Sequence, residues 1–272
     1  MPRKEKDSAE KPGRWNWVRT SARVLMAGGV VAGGLYAFQR VELFLLRDPR
    51  FVIALPDFGL ASPSLKLQGI RYASRTHVLR VFAPDFGRSL YQVPLKERRA
   101  HLLQLDWVKD ASVSRIWPNQ LLIHIREREP VAFIQVPAER GVSRFALVDA
   151  DGVVLQPPKQ AVFKLPLVLG INPEEEPQKR RDGVHRMTRL FEELGPLAAK
   201  VSEVDVGDSD NLKVITRVDN RSITLLLGDH NFSQRIQNFL TNYPQIQQKL
   251  PSATTLDMRL EDRITAVEGN TE

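Results

Sequence analysis

The chain reads as an α+β protein: a single N-terminal transmembrane helix, a β-α-α-β-β unit, then a mixed, mainly antiparallel β-domain with flanking helices. Three observations predict this. Val24 to Phe38 runs without a charge. Trp107 to Ala132 holds two segments of period two around a Pro-Asn pair, the pattern of half-buried strands joined by a turn. Beyond Pro130, short alternating segments are interrupted by two stretches whose apolar residues recur at helical spacing.

Residues 1–23 carry seven basic side chains against three acidic ones, more than half of the net charge of +7. The first twenty residues are polar and without period, so they are expected to lack regular structure. With Ser21, Ala22 and Gln39 at its ends, Val24–Phe38 approaches the roughly 20 residues that cross about 30 Å of hydrocarbon. Residues 24–46 are assigned to a transmembrane helix and juxtamembrane segment, with Val41–Leu46 either prolonging the helix or lying at the interface. A signal peptide cut after Ala32-Gly33-Gly34 is opposed by the long charged segment ahead and by Leu35–Phe38, which continue the apolar run past the cut. The excess of basic residues before the span places the N-terminus in the cytoplasm and the rest of the chain outside it. Gly29 and Gly33 form a G-x-x-x-G pair of the kind that lets another membrane helix approach.

Residues 47–61 read as a linker. In the unit assigned to 62–128, Ser64–Ile70 alternates as a first strand. Arg75–Phe82 brings Val78, Leu79 and Phe82 to helical spacing, and Ala83–Gly87 breaks that helix. Pro94–Gln104 opens with proline and places Leu95, Leu102 and Leu103 on one helical face. The hairpin follows: Pro118 and Asn119 supply the turn, and Trp107, Val113, Leu121 and Ile123 are its expected core.

In residues 129–267, Val131–Gln135, Phe145–Val148 and Val153–Leu155 read as strands, with Asp149–Gly152 as a turn. Leu165–Gly170 is a further short strand. Glu174, Glu175 and Glu176 sit in a loop, where three consecutive side chains cannot converge on a metal. Val184, Met187, Leu190, Phe191 and Leu194 mark an amphipathic helix closed by Gly195-Pro196. Leu212–Val218 and Ile223–Leu227 flank Asp219-Asn220 as a hairpin, and Ser233–Tyr243 forms a second amphipathic helix. Thr255–Leu260 and Ile264–Val267 end the fold as strands, and 268–272 is a polar tail.

Chemistry-bearing patterns are sparse. The chain has no cysteine, which excludes disulfides, thiolate metal sites and a cysteine nucleophile. Its histidines, His77, His101, His124, His185 and His230, are scattered without metal-ligand spacing, and no phosphate loop, nucleophile elbow or dinucleotide fingerprint occurs. Glu127 and Glu129 share a strand face, but Arg126 and Arg128 beside them point to an ion-paired edge. Outside the basic tail the charge is too balanced for a nucleic-acid footprint. The reading is therefore a protein without enzyme activity, cofactor, metal or nucleic-acid partner.

The run W-V-x-x-A-x-V-x-R-x-W-P-x-x-L-x-I-x-I-x-E-R-x-P-V-A at Trp107–Ala132 resembles the end of the POTRA domain in the FtsQ/DivIB family of bacterial division proteins. L-V-D-x-D-G-V-V-L at Leu147–Leu155 and L-D-M-R at Leu256–Arg259 resemble the β-domain of the same family. The resemblance implies a POTRA domain over 62–128 and an FtsQ-type β-domain over 129–267. It also implies a non-catalytic scaffold in the inner membrane at the division septum, with periplasmic domains that bind FtsB and FtsL and help coordinate septal peptidoglycan synthesis. The other function considered is an envelope assembly or secretion chaperone, since POTRA units also precede outer-membrane barrels. That architecture calls for repeated POTRA units and barrel strands, which this sequence lacks. In the family the terminal strand edge receives FtsB, with an aromatic residue next after L-D-x-R; here that position is Leu260. The resemblance thus points to Leu256, Arg259, Leu260, Glu261, Asp262, Arg263, Ile264 and Val267 as partner-binding residues, and proline at Ile264 is expected to block strand addition.

Overall fold

The computed structural model describes residues 14–56, 62–137, 144–158, 161–260 and 263–267. Helix α1 (Arg14–Arg47) is continuous over 34 residues. It begins inside the segment expected to be irregular, because after Gly13 nothing in R-W-N-W-V-R-T-S-A-R breaks a helix that the apolar run propagates backwards. At its other end Val41–Leu46 prolongs the helix. Ser21–Arg47 is long and apolar enough to cross a membrane, and its most apolar stretch is not buried by the described residues.

Strand β1 (Leu65–Gln68), helices α2 (Arg75–Val81) and α3 (Leu95–Leu102), and strands β2 (Val108–Ile116) and β3 (Gln120–Glu127) follow in the predicted order. The three strands form a sheet in the order β1-β3-β2. Leu121, Ile123 and Ile125 are fully buried, as the period of two requires. Val113 is only half-buried. It shares its strand face with Arg115, whose guanidinium donates to the carbonyls of Leu90, Tyr91 and Val93 at 2.9, 3.2 and 2.6 Å. That face is therefore polar at the strand's end. Leu103 lies beyond the end of α3 and is exposed, and Leu95 is only half-buried. The residue that joins Leu102 in burial on this helix is Arg98, bound through Nε to Asp85 at 2.5 Å.

The chain divides into two compact units, residues 1–66, 79–98 and 113–123 in one and residues 67–78, 99–112 and 124–272 in the other. The second unit contains a nine-stranded sheet. Its strands are β4 (Pro130–Val136), β5 (Arg144–Asp149), β6 (Val154–Leu155), β7 (Leu167–Leu169), β8 (Val201–Asp205), β9 (Leu212–Val218), β10 (Arg221–Gly228), β11 (Thr255–Asp257) and β12 (Thr265–Ala266), in the order β12-β11-β10-β9-β8-β7-β4-β5-β6. Pairing is antiparallel except at β10/β11, β7/β8 and β4/β7. Asp219 and Asn220 take φ of 48° and 63° at the β9-β10 turn, the two left-handed residues a tight hairpin needs.

Helices α4 (Pro177–Leu194) and α5 (Phe232–Lys249) bury Val184, Met187, Leu190 and Leu194 and Phe232, Ile236, Phe239 and Tyr243 in one cluster with Ile134, Val204, Leu225 and Leu256 from the sheet. The second helix continues past Tyr243 despite Pro244, because Ile246 and Leu250 beyond it still pack against that core. Leu147 and Leu155 alternate onto the opposite face, where Ala73 and Trp107 cover them. Trp107 Nε1 donates to the Gln156 carbonyl at 3.0 Å.

The ion-paired edge expected of Glu127 and its neighbours takes another form. The Glu127 carboxylate accepts the backbone N–H groups of Arg71, Tyr72 and Ala73 at 2.7 to 2.9 Å. Arg128 instead reaches Asp149 at 2.7 Å and Asp151 at 3.3 Å. A strand end thereby gathers a loop outside the sheet. Asp149 meets Arg128 with one carboxylate oxygen and organises its own turn with the other, which accepts from the N–H groups of Asp151 and Val153.

Leu121→Ala should lower stability by about 2 to 5 kcal/mol, the usual range for a leucine fully buried in a core. A melting temperature within a degree or so of the parent's would place this strand face outside the core.

Candidate partner-binding edge

The last two strands meet the rest of the sheet around one guanidinium. Arg235 lies in the first turn of α5 on the same face as Phe232 and Phe239 and is 5% exposed. It donates to the Leu227 carbonyl at the end of β10 and, at 2.9 Å, to the Arg259 carbonyl just after β11. Gly228 makes room: its φ is +68°, and a Cβ there would stand 2.9 Å from Arg235 Nη1. Asn231, also left-handed at φ 56°, turns the chain into the helix.

From that clamp the chain leaves β11. Asp257 accepts the backbone N–H of Arg259 at 3.0 Å and its guanidinium at 2.9 and 2.6 Å. The Arg259 guanidinium, and then its backbone N–H, hold the Asp257 carboxyl below the usual carboxylate range against the opposing effect of burial. Leu260 follows at 51% exposure. Glu261 and Asp262 lie outside the described residues.

β12 then returns antiparallel along β11, with Leu256 opposite Ala266 and Asp257 opposite Thr265. The Val267 N–H donates to the Thr255 carbonyl at 3.0 Å. Antiparallel pairs alternate between bonded and non-bonded, so Leu256 and Ala266 are a non-bonded pair and the N–H and C=O of Ala266 point to the outer side. β12 ends the sheet, and Thr265 and Ala266 are both exposed.

The predicted residues divide accordingly. Leu256 belongs to the core at 1% exposure, on a strand flanked by β10 and β12. Arg259 is engaged with Asp257 of its own chain. Ile264 precedes β12 and packs half-buried on the core, so proline there would disturb packing as well as the edge. Leu260, Arg263 and Ile264 line a groove of about 760 Å³ that α5 closes with Asn238, Asn242 and Ile246. Val267 is 40% exposed. Gly29 and Gly33 lie on an open face of α1, with nothing within 4 Å of either Cβ position.

Sequence reasoning misses Arg235, Asp257 and Ala266. Arg235 carries a signal, a lone charge on the apolar stripe of Phe232, Ile236 and Phe239. Ala266 carries none, since its role comes from which way one peptide faces.

Asp257 also gives the edge a pH dependence. Its folded pKa is lowered, so its contribution is complete above the ordinary value of about 3.9 and is lost as pH falls through the lower folded value. Asp257→Asn should therefore flatten the fall in melting temperature that the parent shows as the pH drops below about 4. Parallel curves for parent and variant would show that this pair contributes nothing.

Two family models match. One, described as the C-terminal region of cell division protein FtsQ/DivIB, covers residues 138–259, and the other, an FtsQ-type POTRA domain, covers residues 63–128. A cell division protein FtsQ from Koribacter versatilis is 30% identical over 210 residues, 75% of this chain and 59% of the relative. One from Novosphingobium aromaticivorans is 29% identical over 223 residues, 81% and 65% respectively. A third, from Coxiella burnetii, is 29% identical over 146 residues, 53% and 54%. The matched segments thus span between half and two thirds of the length of these relatives.

Proposed function

The chain belongs to the FtsQ/DivIB family of cell division proteins, and from that premise we propose that it is a non-catalytic scaffold of the division machinery, anchored in the inner membrane by α1. Its basic N-terminus lies in the cytoplasm, and its POTRA domain (62–128) and β-domain (129–267) lie in the periplasm at the septum. There it holds FtsB and FtsL and helps coordinate septal peptidoglycan synthesis.

The observation that carries the binding reading is the outer side of β12, where Ala266 presents a backbone donor and acceptor at the end of a nine-stranded sheet. An extended segment can add there as a further strand, main-chain bonds giving affinity and side-chain pockets specificity. Leu260, exposed beside the groove, supplies an apolar contact where the family carries an aromatic residue. The family's membership of the division apparatus supports FtsB as the strand that adds. Gly29 and Gly33, bare on α1, are the proposed approach surface for a partner's membrane helix.

Ala266→Pro removes the outer donor without removing an inner ladder bond. It should leave the melting temperature near the parent's and weaken FtsB capture by about tenfold or more, since one lost bond contributes roughly 1 kcal/mol and the ring obstructs the approach. A folded variant that captures FtsB as tightly as the parent would remove the edge as the site. In cells depleted of the protein, the variant should leave filaments undivided; normal septation without the protein would exclude the division role.

A further inference from the structure

The end of α1 does not run freely into the chain that follows. The Ser89 hydroxyl donates to the Leu45 carbonyl at 2.6 Å, satisfying one of the acceptors a helix leaves open at its C-terminus. Asp48 caps the short 3-10 turn Pro49–Phe51 by accepting from the Arg50 N–H at 2.9 Å. That turn sets Phe51 edge-on between Phe44 of the helix and Trp117 of the hairpin turn, with both ring-to-ring distances 5.6 Å. Aromatic edges of this kind are ordinarily buried. Here Phe44 is 48% and Trp117 50% exposed, and Leu43 and Tyr91 in the same unit are exposed as well.

The position of this cluster along α1 identifies the surroundings that would cover it. The uncharged run ends at Gln39, and the next residue, Arg40, donates from Nε and Nη2 to the Tyr36 hydroxyl at 3.0 and 2.9 Å. A tyrosine bonded to an arginine at the end of an apolar helix marks a membrane–water boundary. Phe44 is four residues further on, a rise of about 6 Å, within the 5 to 8 Å or so of headgroup layer outside the hydrocarbon. Arg40, Arg47, Arg50 and Arg88 are exposed within the same unit against the carboxylates of Glu42 and Asp48, and Arg50 already pairs with Asp48 at 2.9 Å.

We infer that Phe44, Phe51 and Trp117 form an interfacial foot that seats the hairpin turn Trp117–Asn119 in the headgroup layer of an anionic bilayer. The inference rests on α1 spanning that bilayer. The ligand is the lipid surface and not a protein, because the patch is continuous with the apolar helix and carries the arginines an anionic surface attracts. The foot would fix the tilt of the hairpin turn on its anchor, since the carbonyl bond and the stacked rings leave the helix end little freedom to swivel.

The full-length chain with Trp15→Phe and Trp17→Phe retains Trp117 and the buried Trp107 as its only tryptophans. It would be reconstituted in vesicles of acyl-brominated phosphatidylcholine with phosphatidylglycerol, and its emission compared with that in unbrominated vesicles. Quenching is expected, with loss of that quenching on adding Trp117→Phe and weaker quenching when phosphatidylglycerol is left out. Equal emission in brominated and unbrominated vesicles, or quenching that survives Trp117→Phe, would overturn the foot. Quenching indifferent to phosphatidylglycerol would overturn the anionic assignment. Vesicle flotation separates the premises: a chain that does not float refutes the membrane anchor and the foot with it, whereas one that floats unquenched refutes the foot alone.

Discussion

The C-terminal end of the sheet depends on the burial of one guanidinium. Arg235 gives up water to donate to the carbonyls of Leu227 and Arg259, two groups that strand pairing would leave open at the point where the chain exits β10 and β11. Its Nε has no hydrogen-bond partner among the described residues, so the arrangement is not optimised for that side chain. What it secures is position: Gly228, the start of α5 and the connection toward β12 are brought to one place. Removing the side chain would leave the buried Leu227 carbonyl unpaired, a larger cost than the bond itself contributes, and would release the part-buried Arg259 carbonyl.

A second contact joins the two motifs in which the family is most legible. Glu-Arg at 127–128 and Asp-x-Asp-Gly at 149–152 are distant in sequence, and nothing in their spacing says that they meet. Glu127 gathers three amides of the loop ahead of α2, while Arg128 crosses to Asp149 and Asp151. Lys109 adds a further cation at Asp151, 3.1 Å away. Trp107, at the head of the hairpin motif, caps the outer face of the sheet over Leu147 and Leu155. Residues that read as one domain's signature are thus spent on holding the next.

What the sequence discloses follows from where information is carried in side-chain pattern. The hairpin is legible because Leu121, Ile123 and Ile125 alternate strictly and bury strictly. The β9-β10 turn is legible because asparagine and aspartate tolerate the left-handed region. β12 reads as part of a longer strand, but two residues are too few to show a period, and the pairing stops where the chain must turn back. Glu127 reads as half of an ion pair because its true partners are main-chain N–H groups, which have no residue identity. Arg98 and Asp85 meet across a 3-10 turn that no helical spacing describes. At the edge Leu260 is exposed, whereas Leu256, which the motif groups with it, is turned into the core.

The brevity of β12 has a thermodynamic consequence. Two residues in register give it few bonds with which to offset the backbone entropy of ordering, roughly 1 to 2 kcal/mol for each residue fixed, so it belongs to the locally opening end of the stability spectrum. A strand docked outside would give β12 a second ladder through the outward N–H and C=O of Ala266, and the ordering of β12 would become part of the binding free energy. Affinity at such an edge is then set as much by how firmly β12 is held on β11 beforehand as by contacts with the incoming chain. Holding β12 more firmly from its inner side acts as a gain control on recognition without touching the surface that is recognised.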